Sequence, residues 1–276
     1  MKKVDFIIGG AQKCGTSALA RYIAQHPDIY IPEGEMHYFD RRINRHGIQW
    51  YLEQFKVGGD RVVGEKTPAY IRYPRVPDAI KAYFPHVRLI FILRDPVNRA
   101  YSHYWHLRRQ SLEFRSFEDA IEKPFWFGIV KSPGYIERGM YAKQLKPWYQ
   151  VFDKSQILVV KAEDLKSDTK KVLNSVFDHL GVNSEVRVDT PPIHPGVVPR
   201  SWFHYAALFP VNCIRRINNY RFGSLQVLLT NIHQYVLKYG KSGYAQMQPQ
   251  TRLKLQSIFA SRNEELRNLT GIGWDY

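Results

Sequence analysis

Val4-Asp5-Phe6-Ile7-Ile8-Gly9-Gly10-Ala11-Gln12-Lys13-Cys14-Gly15-Thr16-Ser17 begins as a short β-rich apolar run, breaks on paired glycines, and resumes with hydroxyl residues heading a helical pattern. The run Val4 to Gly9 reads as a buried strand, because it is too short for a helix and is closed by glycine. Gly10 to Gly15 reads as a loop. A helix over about Thr16 to Gln25 follows, and His26-Pro27 terminates it.

Outward from this unit the same alternation repeats. Ile29-Tyr30-Ile31 is strand-like, and Val62-Val63-Gly64 is a second short strand. Val87 to Leu93 is the strongest strand, with Leu89 to Leu93 continuously apolar, and Pro96 then sits where the first turn of a helix tolerates it. Ile157 to Val160 is a further strand. The helix after it opens near Ser167-Asp168, carries the stripe Val172, Leu173, Val176, Phe177 and Leu180, and stops at Gly181. Strands alternating with helices predict an α/β fold, a parallel β-sheet flanked by helices. Prolines at 191, 192, 195 and 199 mark an irregular connection. Beyond it, 202–244 is rich in aromatics, and Thr251 to Leu269 is an amphipathic helix carrying Leu255, Ile258, Phe259, Leu266 and Leu269. The expected organisation is one domain, 1–276, with an α/β core over 1–190 and a mostly helical C-terminal elaboration over 191–276.

Composition narrows the chemistry. The 276 residues include 40 Lys plus Arg against 25 Asp plus Glu, a formal charge of +15. That excess suits an anionic partner such as a nucleotide, a sulfated glycan, nucleic acid or a lipid surface. Two cysteines, Cys14 and Cys213, exclude a disulfide-dense scaffold and a four-thiolate zinc site. Ten histidines occur without H-E-x-x-H spacing, so no metal is expected. The longest uncharged run, Phe222 to Leu237, has 16 residues, short of the roughly 20 that a membrane span needs. Asp5 and the following glycines leave no h-region for a signal peptide. A soluble, cytoplasmic protein without a membrane span is expected.

The Gly10–Gly15 loop has the means to hold a phosphate. Amides at a helix N-terminus point into such a loop, and the helix dipole favours an anion there by roughly 0.3–1 kcal/mol. Glycines permit close approach, Lys13 adds a mobile charge, and Thr16 and Ser17 add hydroxyls. The comparison is the nucleotide-binding G-x-x-x-x-G-K-[ST] loop. Here Gly10-x-x-x-x-Gly15 is followed by Thr16-Ser17, so the lysine after the second glycine is missing and Lys13 lies inside the loop. A nucleoside triphosphatase also wants a strand ending in Asp for Mg²⁺. The strongest strand ends instead in Leu93-Arg94-Asp95-Pro96, with a cation first, which suggests a second anionic group bound without metal. A glycine-rich turn that binds nothing is the bland alternative.

Four further patches weigh against that alternative. Glu35-Met36-His37-Tyr38-Phe39-Asp40 sets two carboxylates and an imidazole within six positions. Glu65-Lys66-Thr67-Pro68 closes the second strand. Ser102 lies eight residues beyond Arg94, inside a helix. Gly134-Tyr135 and Gly139-x-Tyr141-Ala142-x-x-Leu145 precede another helix.

Together these motifs resemble the sulfotransferases that use 3′-phosphoadenosine 5′-phosphosulfate (PAPS), particularly the heparan-sulfate type and its bacterial relatives. The resemblance runs from Val4 to about Leu180. It implies a P-loop-like phosphosulfate-binding loop formed by Gln12, Lys13, Cys14, Gly15, Thr16 and Ser17. It implies a 3′-phosphate site at Arg94 and Ser102. The E-x-H-x-x-D stretch, Glu35, His37 and Asp40, would carry the base, with Glu35 taking the acceptor's proton and His37 either orienting it or acting as base itself. Lys13 would stabilise the departing phosphate, and Lys66 would lie near the transferred group. Cys14 stands where many members have glycine, and Ser17 where heparan-type enzymes often have Arg. Gly240-Lys241-Ser242-Gly243 is a loose counterpart of the basic loop over the donor nucleotide, which makes Lys241 a donor-site candidate.

The expected activity is transfer of a sulfuryl group from PAPS to a hydroxyl or amine, releasing adenosine 3′,5′-bisphosphate without metal. The expected acceptor is a small polar molecule, such as a saxitoxin-like guanidinium alkaloid, or a sugar; a heparan-like glycan is the alternative. Stretch 202–244 would cap the acceptor site. A P-loop kinase is disfavoured by the displaced lysine and by Arg94. A nucleic-acid or heparin binder would fit the charge, but no zinc-finger spacing or RNA-recognition consensus supports it, so no nucleic-acid partner is expected.

Overall fold

The computed structural model describes residues 4–43, 45–110, 112–122, 133–191, 197–198, 231–232, 235 and 241–276. The expectation for 202–244 falls almost wholly outside these residues. The chain divides into two compact units. One comprises Met1–Pro96, Met140–Ile193 and Ser257–Tyr276, and the other Val97–Gly139 and His194–Gln256.

The first unit is built on a five-stranded sheet in the order β2-β3-β1-β4-β5, parallel throughout. Its strands are β1 (Phe6–Gly10), β2 (Ile29–Tyr30), β3 (Val62–Lys66), β4 (Arg88–Leu93) and β5 (Ile157–Lys161). The apolar runs that announced β1 and β4 occupy the middle of the sheet. Phe6, Ile7, Ile8, Leu89, Ile90 and Phe91 are fully buried, worth about 1.5–3 kcal/mol for each large side chain. β3 runs two residues further than its apolar stretch suggested, so Glu65 and Lys66 lie on the strand itself. The chain steps from β1 outward to β2, returns through β3, and crosses β1 to reach β4. That reversal is a topological switch point, beside which the carboxyl ends of parallel strands leave a crevice.

The first helix follows its sequence signals. α1 (Thr16–Ile23) buries Ala18, Leu19, Tyr22 and Ile23, and stops short of His26-Pro27. α2 is Ile48–Glu53 and α3 is Val76–Tyr83, with proline in the first turn of α3. α6 (Tyr141–Val151) packs Trp148 edge-on against Phe91. After α7 (Ala162–Ser167), α8 (Thr169–Leu180) is capped by the Asp168 side chain, which accepts from the Lys171 amide at 3.0 Å. It ends on Gly181, at φ 71°, with the paired backbone bonds of a left-handed C-terminal cap.

The second unit contains α4 (Pro96–Arg109) from Val97 onward, α5 (Phe117–Glu122), and the antiparallel pair β6 (Val197–Val198) and β7 (Lys241–Ser242). Within it, Glu113 is fully buried and held by a two-pronged ion pair to Arg115. The last helix, α9 (Pro249–Thr270), passes from this unit into the first, and Leu255, Phe259 and Leu266 are its buried positions. Among the described residues, no helix is long and apolar enough to cross a membrane.

Candidate active site

The carboxyl ends of β1, β3 and β4 bring most of the sequence candidates into the first unit. At the end of β1, Gly10 lies so close to Ile71 that a Cβ would sit 2.7 Å from that side chain. The Ala11 amide donates to the Ile92 carbonyl at 2.8 Å, tying the loop to β4. Lys13, at φ 71°, and Gly15, at φ 95°, turn the chain through the left-handed region. The Gly15 carbonyl accepts from Ala18 and Leu19 and so starts α1. Thr16 and Ser17 lie in the first turn of α1, where helix amides precede the ladder and suit an anion. Lys13 and Gln12 are half-buried, Ser17 is exposed and Thr16 is buried.

Cys14 does not line the loop with its side chain. It is buried, with Sγ 3.5 Å from the Tyr141 hydroxyl. That hydroxyl donates to the Arg94 carbonyl at 2.9 Å. Tyr141 therefore joins the loop after β1 to the segment after β4. Its G-x-Y context was visible in the sequence, but its linking role was not. Arg94 is half-buried; the next residue, Asp95, is buried, accepts from the Tyr276 hydroxyl at 2.8 Å, and has its amide bound by Glu163 Oε1 at 3.0 Å.

Glu35, His37 and Asp40 meet in one acid–imidazole cluster. His37 Nε2 is 3.0 Å from Glu35 Oε2, and Nδ1 is 3.0 Å from Asp40 Oδ2. Asp40 also meets Arg41 Nε at 3.5 Å, so it carries an ion pair as well as its place in the cluster. Lys66 Nζ lies 3.2 Å from Glu35 Oε1 and 3.4 Å from Ser17 Oγ. One ammonium thus spans the acid cluster and the head of α1.

Electrostatics follow from these contacts. Burial alone would lower the His37 pKa, but the hydrogen bonds to Asp40 and Glu35 outweigh it and push the pKa up to about 9. A charged imidazolium donates from both nitrogens, one to each carboxylate. Burial acts to raise the Glu35 carboxyl, yet the hydrogen bond to His37 and the Lys66 ammonium bring it below the ordinary carboxylate value. Glu35 is the most open of the group, with 37% of its side chain exposed, against 0% for Asp40. The cluster therefore offers one accessible, ionised carboxylate backed by cations.

Beneath it lies a network that the sequence reading passed over. Glu65 is buried and accepts from Thr67 Oγ1 at 2.6 Å, Tyr51 Oη at 2.7 Å and Tyr70 Oη at 2.9 Å. The sign was available in Glu65-Lys66-Thr67-Pro68-Ala69-Tyr70, where a carboxylate on a buried strand is followed by two hydroxyls.

Two candidates belong to the second unit. Ser102 is half-buried on α4 in the second unit, and Lys241 lies on β7, paired with Val198. Among the described residues, no group of three or more His, Cys, Asp or Glu is arranged to hold a metal ion.

The sulfotransferase domain model matches residues 3–191. The chain belongs to that family. Mouse heparan sulfate glucosamine 3-O-sulfotransferase 3B1 is 35% identical over 178 residues, which is 64% of this chain and 45% of the mouse protein. This sulfotransferase-family chain thus spans about half the length of the curated relatives it matches. The crystal structure of a sulfotransferase from Alicyclobacillus acidocaldarius has a TM-score of 0.72 and 26% identity, over 99% of this chain and 98% of that one. A mouse sulfotransferase complexed with PAP shares the fold, with a TM-score of 0.50 and 16% identity over 97% of this chain and 85% of that one.

Proposed function

We propose that the chain transfers a sulfuryl group from PAPS to an acceptor hydroxyl. The observation that carries this reading is the reach of Lys66 Nζ, 3.2 Å from Glu35 and 3.4 Å from Ser17, which joins a carboxylate base to the anion loop. PAPS supplies the activated sulfur–oxygen bond. Lys13, the loop amides, Thr16 and Ser17 hold its 5′-phosphosulfate end, and Arg94 meets the 3′-phosphate, where a planar guanidinium suits a phosphate.

Glu35 accepts the acceptor's proton as the acceptor oxygen bonds to sulfur. The bond between sulfur and the 5′-phosphate oxygen breaks, and its electron pair leaves on adenosine 3′,5′-bisphosphate. Lys13 and Lys66 neutralise the charge that develops. His37, charged and anchored by Asp40, keeps Glu35 ionised and aimed. Positioning and charge stabilisation do most of the work in such in-line transfers.

The acceptor favoured here is a sugar hydroxyl on an anionic glycan. The names of the 35%-identical relatives support it. So do the exposed Arg41, Arg45, Arg72 and Arg75, on segments flanking the cluster. The test has two arms. Adenosine 3′,5′-bisphosphate at 100 times its dissociation constant should stabilise the protein by about 2.7 kcal/mol, in EDTA as well as in buffer. Labelled PAPS should then modify heparan-type oligosaccharides in preference to small guanidinium alkaloids. No thermal shift would sink the donor assignment; labelling of the alkaloid alone would overturn the acceptor.

A further inference from the structure

His37, at φ 49°, holds a left-handed backbone conformation that a non-glycine residue rarely adopts. Such residues persist only where their surroundings over-determine them. The His37 amide donates to Thr67 Oγ1 at 3.2 Å, and the Tyr38 amide to Tyr70 Oη at 3.0 Å. Phe39 N also approaches Tyr70 Oη, at 3.4 Å. Each hydroxyl has a single proton. Those of Thr67 and Tyr70 are given to the Glu65 carboxylate, which leaves only lone pairs for the loop amides.

We propose that Glu65 is a positioning residue for the reaction. By taking the hydroxyl protons of Thr67 and Tyr70, it fixes both oxygens as acceptors for the turn that aims Glu35, His37 and Asp40. A glutamine in its place would carry an N–H₂ group facing one of these hydroxyls. That hydroxyl would have to accept, turning its proton against a loop amide. The residue touches no substrate and acts only through the backbone of 37–39.

Tyr51 provides an internal control. Its hydroxyl donates to the same carboxylate at 2.7 Å, while the loop amides bind Thr67 and Tyr70. A network that merely stabilised the fold would treat the three hydroxyls alike. A network that aims the turn would not.

This inference rests on the sulfuryl-transfer reading for its rate measurement, and the experiment separates the two. Tyr70→Phe, Thr67→Val, Tyr51→Phe and Glu65→Gln are made in the full chain. Turnover of PAPS is measured together with amide exchange over residues 36–40. Tyr70→Phe and Thr67→Val should lower kcat roughly 10- to 100-fold, as small misplacements do, with an unchanged KM for PAPS and faster exchange at 37 and 38. Tyr51→Phe should keep the wild-type kcat. Glu65→Gln should cost one of the two holds, a loss no larger than that of Tyr70→Phe or Thr67→Val; if it does not fold, the three hydroxyl variants decide.

Equal loss of kcat in Tyr51→Phe and Tyr70→Phe would overturn the inference, as would wild-type kcat in Tyr70→Phe and Thr67→Val. A wild-type protein without PAPS turnover would remove the functional reading alone. Exchange would still decide the hold on the turn, and unchanged protection in both variants would defeat it.

Discussion

The two sides of the site are held by different means. The loop after β1 is a backbone construction, with Gly15 at φ 95°, Lys13 at φ 71°, and the Ala11 amide bonded to Ile92. The acid cluster is a side-chain construction, in which Glu35, His37, Asp40 and Lys66 hold one another above the buried Glu65. A backbone site gains its shape from dihedral angles and survives most changes of side chain. A side-chain site depends on every proton being in its place. Damage to the two sides should therefore separate donor binding from turnover.

The largest separation comes from Glu35→Gln. The amide keeps the volume but cannot take a proton, and general-base assistance is typically worth about 10²–10⁴ in rate. A fall of that order in kcat is expected, while stabilisation by adenosine 3′,5′-bisphosphate stays at the wild-type level. Calorimetric scans beside turnover assays read both quantities. Equal loss of bisphosphate binding would mean that the two sides are not independent.

The converse break is Gly15→Ala. Space is not the obstacle, since an added Cβ would meet Ile92 and Leu165 at 3.7 and 3.9 Å, ordinary contact distances. The dihedral is the obstacle, because an L-residue in left-handed geometry costs roughly 1–2 kcal/mol. The expected result is a lower Tm and weaker bisphosphate binding, with kcat at saturating PAPS retained. A fall in kcat at unchanged affinity would reverse the assignment of the loop.

The same contrast explains what the sequence disclosed. Four strands, the strand-like Ile29-Tyr30-Ile31, helices α1, α4, α8 and α9 and the glycine-bounded loop after β1 were legible because periodicity, glycines and helix-initiating hydroxyls are local signals; α2, α3, α5 and α7 were not. Glu35, His37 and Asp40 share a short segment, so their proximity was legible too. Glu65 was not, although its motif was in view. Its role depends on Tyr51 and Tyr70 arriving from other elements, and on hydroxyl polarity that only spatial contact defines. Tyr141 is similar: its contacts to Cys14 and the Arg94 carbonyl join residues 127 and 47 positions apart. Cys14 kept its place in the loop, but its thiol turned into the core.

A third break is a pH dependence confined to the side-chain half. His37 is raised from 6.5 to about 9, so its charged form is favoured by folding. That contribution is complete below pH 6.5 and is lost as pH rises through about 9. Glu35 is lowered from 4.5, so its contribution is present above that value and is lost as pH falls through the depressed folded-state value. The cluster is therefore tightest between about pH 4.5 and 6.5, and loosens gradually toward 9. A neutral imidazole has one N–H and cannot donate to both carboxylates, so the link to either Glu35 or Asp40 must fail. Melting curves of wild type and His37→Asn across pH 5–10 isolate this contribution. The gap between them should be widest at the acid end of that range and should close above pH 9, whereas the shift in Tm caused by Gly15→Ala, being a matter of dihedral angle, should stay constant throughout. A gap between wild type and His37→Asn that did not narrow would mean that the imidazole is held by shape and not by charge.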